Sequence, residues 1–386
     1  MFPRAAVAAA GLLVLTLVGG CGDSPAAERV SILPRGAAAT PFPVPPSAPP
    51  PSTPSPWGGS AGPSATMPAR PDLASSLAVP MATAAPLAGT GPPRFFVSAR
   101  VPIARFPERS KTAIVTPVPP SVHDAGTGRF IAAVPLPPGI ESSWKLAAAA
   151  PDNRTFLLSG TRGQESGVRF FRVRLDENGR PGTSELVPES GGGVPGMLPV
   201  LALSHDGTRF AFADTLVGGT IVSVVEIATG ARRDWFAGNI PVTGLSWAPD
   251  GRRIAVAVHN WGLGVMDLAA PGPDLLASTR LVRPMKGSPL ESVAYTTDGD
   301  SLIYSTGHDI ERIPVGGGTL VVLARLSPPK NASLTIRFDL DGTGRYLLYT
   351  HDWRLYRADL HDGSTSSVPI ETGDLPLGGQ TPDAAW

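Results

Sequence analysis

Three short phrases in the 386-residue chain carry residues that could do chemistry: His259-Asn260-Trp261, His308-Asp309 and His351-Asp352-Trp353. Each histidine comes shortly after an apolar run, so each falls where a strand gives way to a turn. Imidazoles from adjacent loops that converged on one mouth could hold a metal ion. Beside a carboxylate they could also serve as general acid or base. Trp261 and Trp353 offer a different chemistry, since exposed aromatics anchor peptides and glycans. Binding is the more economical reading, because turns are polar for conformational reasons and adjacent loops can stand too far apart for one ion. His259, Asn260, Trp261, His308, Asp309, His351, Asp352 and Trp353 are therefore read as a binding face. His259, His308 and His351 are the metal candidates on it, and no cofactor is assigned. His205 sits in a turn and is expected to face solvent. His123 and His361 fall in Gly- and Asp-containing loops without an identifiable partner. The one G-x-S-x-G match, Gly58-Gly59-Ser60-Ala61-Gly62, falls in a Pro/Ser/Gly-rich stretch rather than at a strand-to-helix turn, and the chain has no H-E-x-x-H or phosphate-binding G-x-x-x-x-G-K-[ST] sequence, so no catalytic residue is assigned.

The single cysteine, Cys21, excludes an internal disulfide and a cysteine metal site. It ends a segment built like a secretory signal. Arg4 is followed by a run of mostly Ala, Gly, Leu and Val, about 14 residues long, which suits a signal h-region and is short for a membrane span. Leu17-Val18-Gly19-Gly20-Cys21 resembles a bacterial lipobox, with Val18 where leucine is usual. That resemblance implies cleavage before Cys21, acylation of its thiol and lipid attachment to the cell membrane. Residues 1–20 are thus read as a lipoprotein signal peptide. Residues 21–93 are read as a disordered tether, because their Pro, Ala, Ser and Gly cannot bury enough surface to fold. Lys plus Arg and Asp plus Glu are both 32, a formal net charge of zero. Nucleic acid is therefore not an expected partner, and the lipid is the one expected membrane contact.

What must position the candidate loops is a phrase repeated five times: apolar-x-apolar, a turn around Asp-Gly or Asp-Asn, then an apolar run. The copies are residues 146–158 (LAAAAPDNRTFLL), 201–213 (LALSHDGTRFAFA), 245–258 (LSWAPDGRRIAVAV), 293–304 (VAYTTDGDSLIY) and 336–349 (IRFDLDGTGRYLLY). Their aspartates, Asp152, Asp206, Asp250, Asp298 and Asp341, recur at steps of 54, 44, 48 and 43. A strand–turn–strand unit with a period in the forties predicts one four-stranded propeller blade per copy. In the 245–258 unit, Trp247 ends the first strand in the blade core, and IAVAV suits a second strand buried on both faces. Its fourth strand is expected over 275–282.

Two remnants complete the pattern. Residues 380–386 (QTPDAAW) read as a first strand, and 94–99, 113–115 and 129–134 read as the second, third and fourth strands of the same blade. The expectation is an all-β, six-bladed propeller over 94–386, its last blade closed by strands from both termini. The unit LSWAPDGRRIAVAV followed by GLGVMDLA resembles the WD40-like propeller repeat of the TolB type. That resemblance implies a six-bladed propeller that binds proteins or peptides. The expected protein is a monomeric, lipid-anchored extracytoplasmic module that recognises a protein, peptide or glycan. The alternative is a propeller hydrolase or cyclase-like enzyme with a metal or His/Asp site at the axial pocket.

Overall fold

The computed structural model describes residues 92–99, 103–105, 114–116, 119–162, 166–188, 197–216, 219–270, 272–285, 290–325, 336–351, 354–360, 368–370 and 383–386. Cys21, residues 21–91 of the tether, Asp352, Trp353 and His361 lie outside them. The described elements are all strands, in chain order β1 (Phe95–Ala99), β2 (Ile103–Arg105), β3 (Ile114–Thr116), β4 (Ser121–Asp124), β5 (Phe130–Ala133), β6 (Ser142–Ala149), β7 (Thr155–Arg162), β8 (Ser166–Arg174), β9 (Glu185–Leu186), β10 (Met197–Leu203), β11 (Arg209–Leu216), β12 (Gly219–Glu226) and β13 (Arg232–Phe236). They continue with β14 (Val242–Trp247), β15 (Arg253–Val258), β16 (Gly262–Asp267), β17 (Thr279–Pro284), β18 (Leu290–Tyr295), β19 (Ser301–Thr306), β20 (Asp309–Pro314), β21 (Val321–Arg325), β22 (Phe338–Leu340), β23 (Tyr346–His351), β24 (Arg354–Asp359), β25 (Val368–Ile370) and β26 (Asp383–Ala385).

Six four-stranded antiparallel sheets form the blades: β26-β1-β4-β5 (blade 1), β6 to β9 (blade 2), β10 to β13 (blade 3), β14 to β17 (blade 4), β18 to β21 (blade 5) and β22 to β25 (blade 6). The first strand of each blade touches that of the next, and β26 touches β6, so the ring is closed. Blade 1 is assembled from the two ends of the domain, with Val97 opposite Ala385 and Ala99 opposite Asp383. Closure in this way leaves no open first or last blade whose strands could pair with another chain.

Each interface between adjacent blades has its own apolar cluster. The alternation of side chains along a strand explains this. In β15, Ile254, Val256 and Val258 pack toward blade 3, while Ala255 and Ala257 pack toward blade 5. A middle strand between two neighbouring blades must be apolar on both faces, which is why IAVAV carries no polar residue. Polar ties cross the same interfaces. Trp247 Nε1 donates to the Ala202 carbonyl at 3.1 Å. Arg283 of blade 4 donates to Glu311 of blade 5 at 2.8 Å, and the Tyr304 hydroxyl donates to the same carboxylate at 2.5 Å.

The Asp turns are backbone devices. Asp206, Asp250 and Asp298 each accept from the amide two residues on, at 3.0, 2.8 and 2.9 Å. The next residue takes positive φ, 65° at Gly207 and Gly251 and 74° at Gly299, and Asn153 takes this role in blade 2 with φ 51°. Blade 6 differs from the sequence alignment. There Gly344, not Gly342, has the positive φ, so Thr343 occupies the position of the other aspartates. Asp341 stands two residues earlier, is buried, and accepts from the amides of Thr343, Arg345 and Tyr346.

Two strand assignments are corrected. The third strand of blade 1 is Ser121–Asp124, and Ile114–Thr116 instead pairs with Ile103–Arg105 in a separate hairpin. Pro119 and Pro120 precede β4, and proline cannot donate to a ladder. The fourth strand of blade 4 starts at Thr279, and Leu275 donates to the Phe236 carbonyl of blade 3.

Candidate functional site

The candidate loops occupy three successive hairpins between second and third strands. His259 is half-buried, and its amide donates to the Pro241 carbonyl at 2.9 Å. Asn260 turns the chain with φ 58°. Trp261 is half-buried against the cluster of blades 3 and 4, and its indole lies over Gly264, where any Cβ would stand 2.9 Å from the ring. Much of that indole is therefore packing surface. His308 is exposed and Asp309 half-buried, with Asp309 opening β20 opposite Arg325. His351 ends β23 opposite Arg354. The described residues contain no group of three His, Cys, Asp or Glu side chains placed to hold one metal ion.

Two histidines sit elsewhere than the sequence suggests. His123 lies on β4, fully buried, with Nε2 2.8 Å from Ser121 Oγ and Nδ1 3.1 Å from the Gly128 carbonyl. It stacks on Phe96 with ring centroids 4.9 Å apart, a core histidine with its polar atoms met. His205 is half-buried rather than solvent-facing. It lines the axial cavity, and burial lowers its pKa, opposed by the Ala248 backbone and by Asp206 and Asp250.

The six first strands enclose a cavity of about 140 Å³ on the ring axis. Thr243, Ser292, Arg337, Asp339, Thr297 and His205 are among its lining residues. The entries to β6, β10, β14 and β18 are bulged, which re-aims the chain where these strands reach the cavity. Hydrogen bonds stitch neighbouring blades together here. Thr243 Oγ1 donates to the Leu290 carbonyl at 2.5 Å, Ser305 Oγ to the Ile336 carbonyl at 2.8 Å, and the Trp386 amide to Asp339 at 3.1 Å. Glu291, next to the lining residue Ser292, accepts from the Ile336 amide. Burial pushes its carboxyl up to about 7, although that amide and Arg337 both favour the charged form. A half-buried carboxyl that titrates near neutrality beside an arginine can bind a polar group or exchange a proton.

Sequence reasoning did not single out Glu291, Arg337 or Asp339. A signal was present in Ile336-Arg337-Phe338-Asp339-Leu340, where charges alternate with apolar residues in a strand that has to be innermost. Glu291 carried no such signal, because its environment comes from Ile336 and Arg337 on the next blade.

No protein-family model matches the chain, and no curated protein sequence does. Among solved structures, TolB from Acinetobacter baumannii is similar at 14% identity, over 76% of this chain and 66% of that one, with a TM-score of 0.48. A nidogen structure solved as a nidogen/laminin complex is similar at 12% identity, over 75% of this chain and 97% of that one, with a TM-score of 0.47. A candidate TolB from Agrobacterium tumefaciens is similar at 13% identity, over 72% and 89%, with a TM-score of 0.42. The chain spans about two thirds of the Acinetobacter TolB chain. At such identities and TM-scores these likenesses carry no argument, and the six-bladed ring rests on its own ladders and closure.

Proposed function

We propose that this protein is a lipid-anchored extracytoplasmic scaffold whose propeller recognises a protein or peptide segment at the axial mouth. The carrying observation is the ring of first strands around one cavity, with Arg337 and Asp339 of blade 6 in its lining and bulged entries from four blades beside it. A concave site with a few placed polar groups among apolar side chains is a common form of recognition site. The histidine loops His259–Trp261, His308-Asp309 and His351–Trp353 would extend that face outward, toward protein, peptide or glycan. Anchoring is supported by the lipobox-like sequence ending in Cys21, and residues 21–93 would hold the propeller off the membrane.

Site-specific photo-crosslinking in the cell envelope tests the reading. A probe at Thr243 should capture a discrete envelope protein, and one at the exposed outer-strand residue Leu281 should not. An empty result at Thr243 would sink the axial site. Labelling with radioactive palmitate should mark the wild type, and Cys21→Ser should lose both the label and membrane association. The elevated Glu291 carboxyl favours one second reading, a hydrolase or cyclase-like enzyme using it as acid or base. Turnover of a lactone or ester by the full chain, lost in Glu291→Gln with folding intact, would establish it.

A further inference from the structure

The β26–β1 seam that closes the ring is short. β26 contributes three ladder positions to β1, as many as β22 contributes to β23 in blade 6 and fewer than the five of the corresponding ladders of blades 2 to 5. Its main anchor is Trp386, 1% exposed, packed among Phe96, Ala125, Leu348 and Leu355 between blades 1 and 6. Polar complementarity at the seam is incomplete. Ser98 Oγ and Trp386 Nε1 are both buried without a hydrogen-bond partner, and buried polar atoms left unmet weaken the packing that holds them. The inserted segment therefore behaves as a short peptide ligand, with one ladder and one aromatic knob, held by its covalent tether at high effective concentration.

We propose that this seam is an exchange site between two copies of the chain, in which the Asp383–Ala385 strand and Trp386 of one copy fill the β1 edge and Trp386 pocket of the other. The occupant follows from fit, since register, small side chains and indole already match the slot in the closed ring. Reach is adequate. Twelve residues separate β25 from β26, and at roughly 3.3–3.6 Å each they could extend about 40 Å. A formal net charge of zero puts no long-range repulsion between copies. Both copies keep six complete blades after the exchange, so the ladder and the Trp386 packing lost in one ring are regained in the other.

Two differently tagged batches of the full-length chain, mixed in mild denaturant and refolded together at high concentration, test the exchange. The expected result is a mixed dimer that resists dilution, is absent after dilute refolding, and is lost with Trp386→Ala. Because that variant could fail to fold, the wild type is also refolded with excess synthetic peptide Asp-Ala-Ala-Trp. The mixed dimer should fall while folded monomer is retained. No mixed dimer, a mixed dimer that ignores the peptide, or one that persists in folded Trp386→Ala overturns the proposal.

Discussion

Trp247 shows how one side chain serves two blades. It is 1% exposed, fills the cluster between blades 3 and 4, and spans the interface by its bond to Ala202, while the Arg209 guanidinium lies 5.0 Å from its ring. Trp247→Ala should cost about 3–5 kcal/mol, measured by denaturant unfolding. A variant with wild-type stability would contradict the packing. Glu291 gives a pH test at the same scale. Its carboxyl is raised from an ordinary 4.5 to about 7, so the folded chain holds the proton over a range where the unfolded chain has lost it. Its contribution therefore opposes folding increasingly as pH rises from about 4.5 to about 7, and levels off above. Glu291→Gln should be more stable than wild type at pH 8, with the advantage shrinking toward pH 4.5. Melting both proteins across that range checks the sign. The aromatic at 247 could be read from the alternation around it. The Glu291 environment could not, because both groups that act on its charge belong to another blade.

At the scale of elements, the Asp turns were legible because Asp, Asn and Gly report local backbone geometry. The turn of blade 6 was misaligned by two residues, since Asp341-Gly342-Thr343-Gly344 offers two glycines and local sequence does not choose between them. Packing chooses. A Cβ on Gly342 would stand 1.8 Å from the Pro151 carbonyl oxygen of blade 2, so that position must be the close approach and Gly344 the left-handed residue. Gly342→Ala should therefore destabilise by about 1–3 kcal/mol, while Gly238→Ala, with open space around its Cβ and φ 65°, reports backbone strain alone. The comparison is made by chemical denaturation of both variants, and equal losses would contradict the contact. The same limit explains the blade 1 error. Residues 113–115 read as the third strand and the stretch around His123 as a loop, and only the ladder to β1 shows that 121–124 is the blade strand.

At the scale of the molecule, closure couples segments almost 290 residues apart. The β1–β26 ladder cannot form until the whole ring is in place, which makes the fold rich in non-local contacts and slow to form. With six interfaces sharing their blades, loss of one should propagate around the ring. Trp386→Ala is therefore expected to lower a single cooperative transition, with tryptophan fluorescence and circular dichroism coinciding. An early separate transition confined to blade 1 would show that the seam is local and the other five blades stand without it.

The sequence by itself determined the repeating hairpin, the number of blades and the meeting of the chain's two ends, because these follow from hydrophobic periodicity and turn chemistry, which are local. The tertiary structure decided the axial cavity, the raised Glu291 carboxyl, the packed role of Trp261 and the burial of His123. Each of these depends on which blade stands beside which, and desolvation and cross-blade hydrogen bonds exist only after the ring has closed.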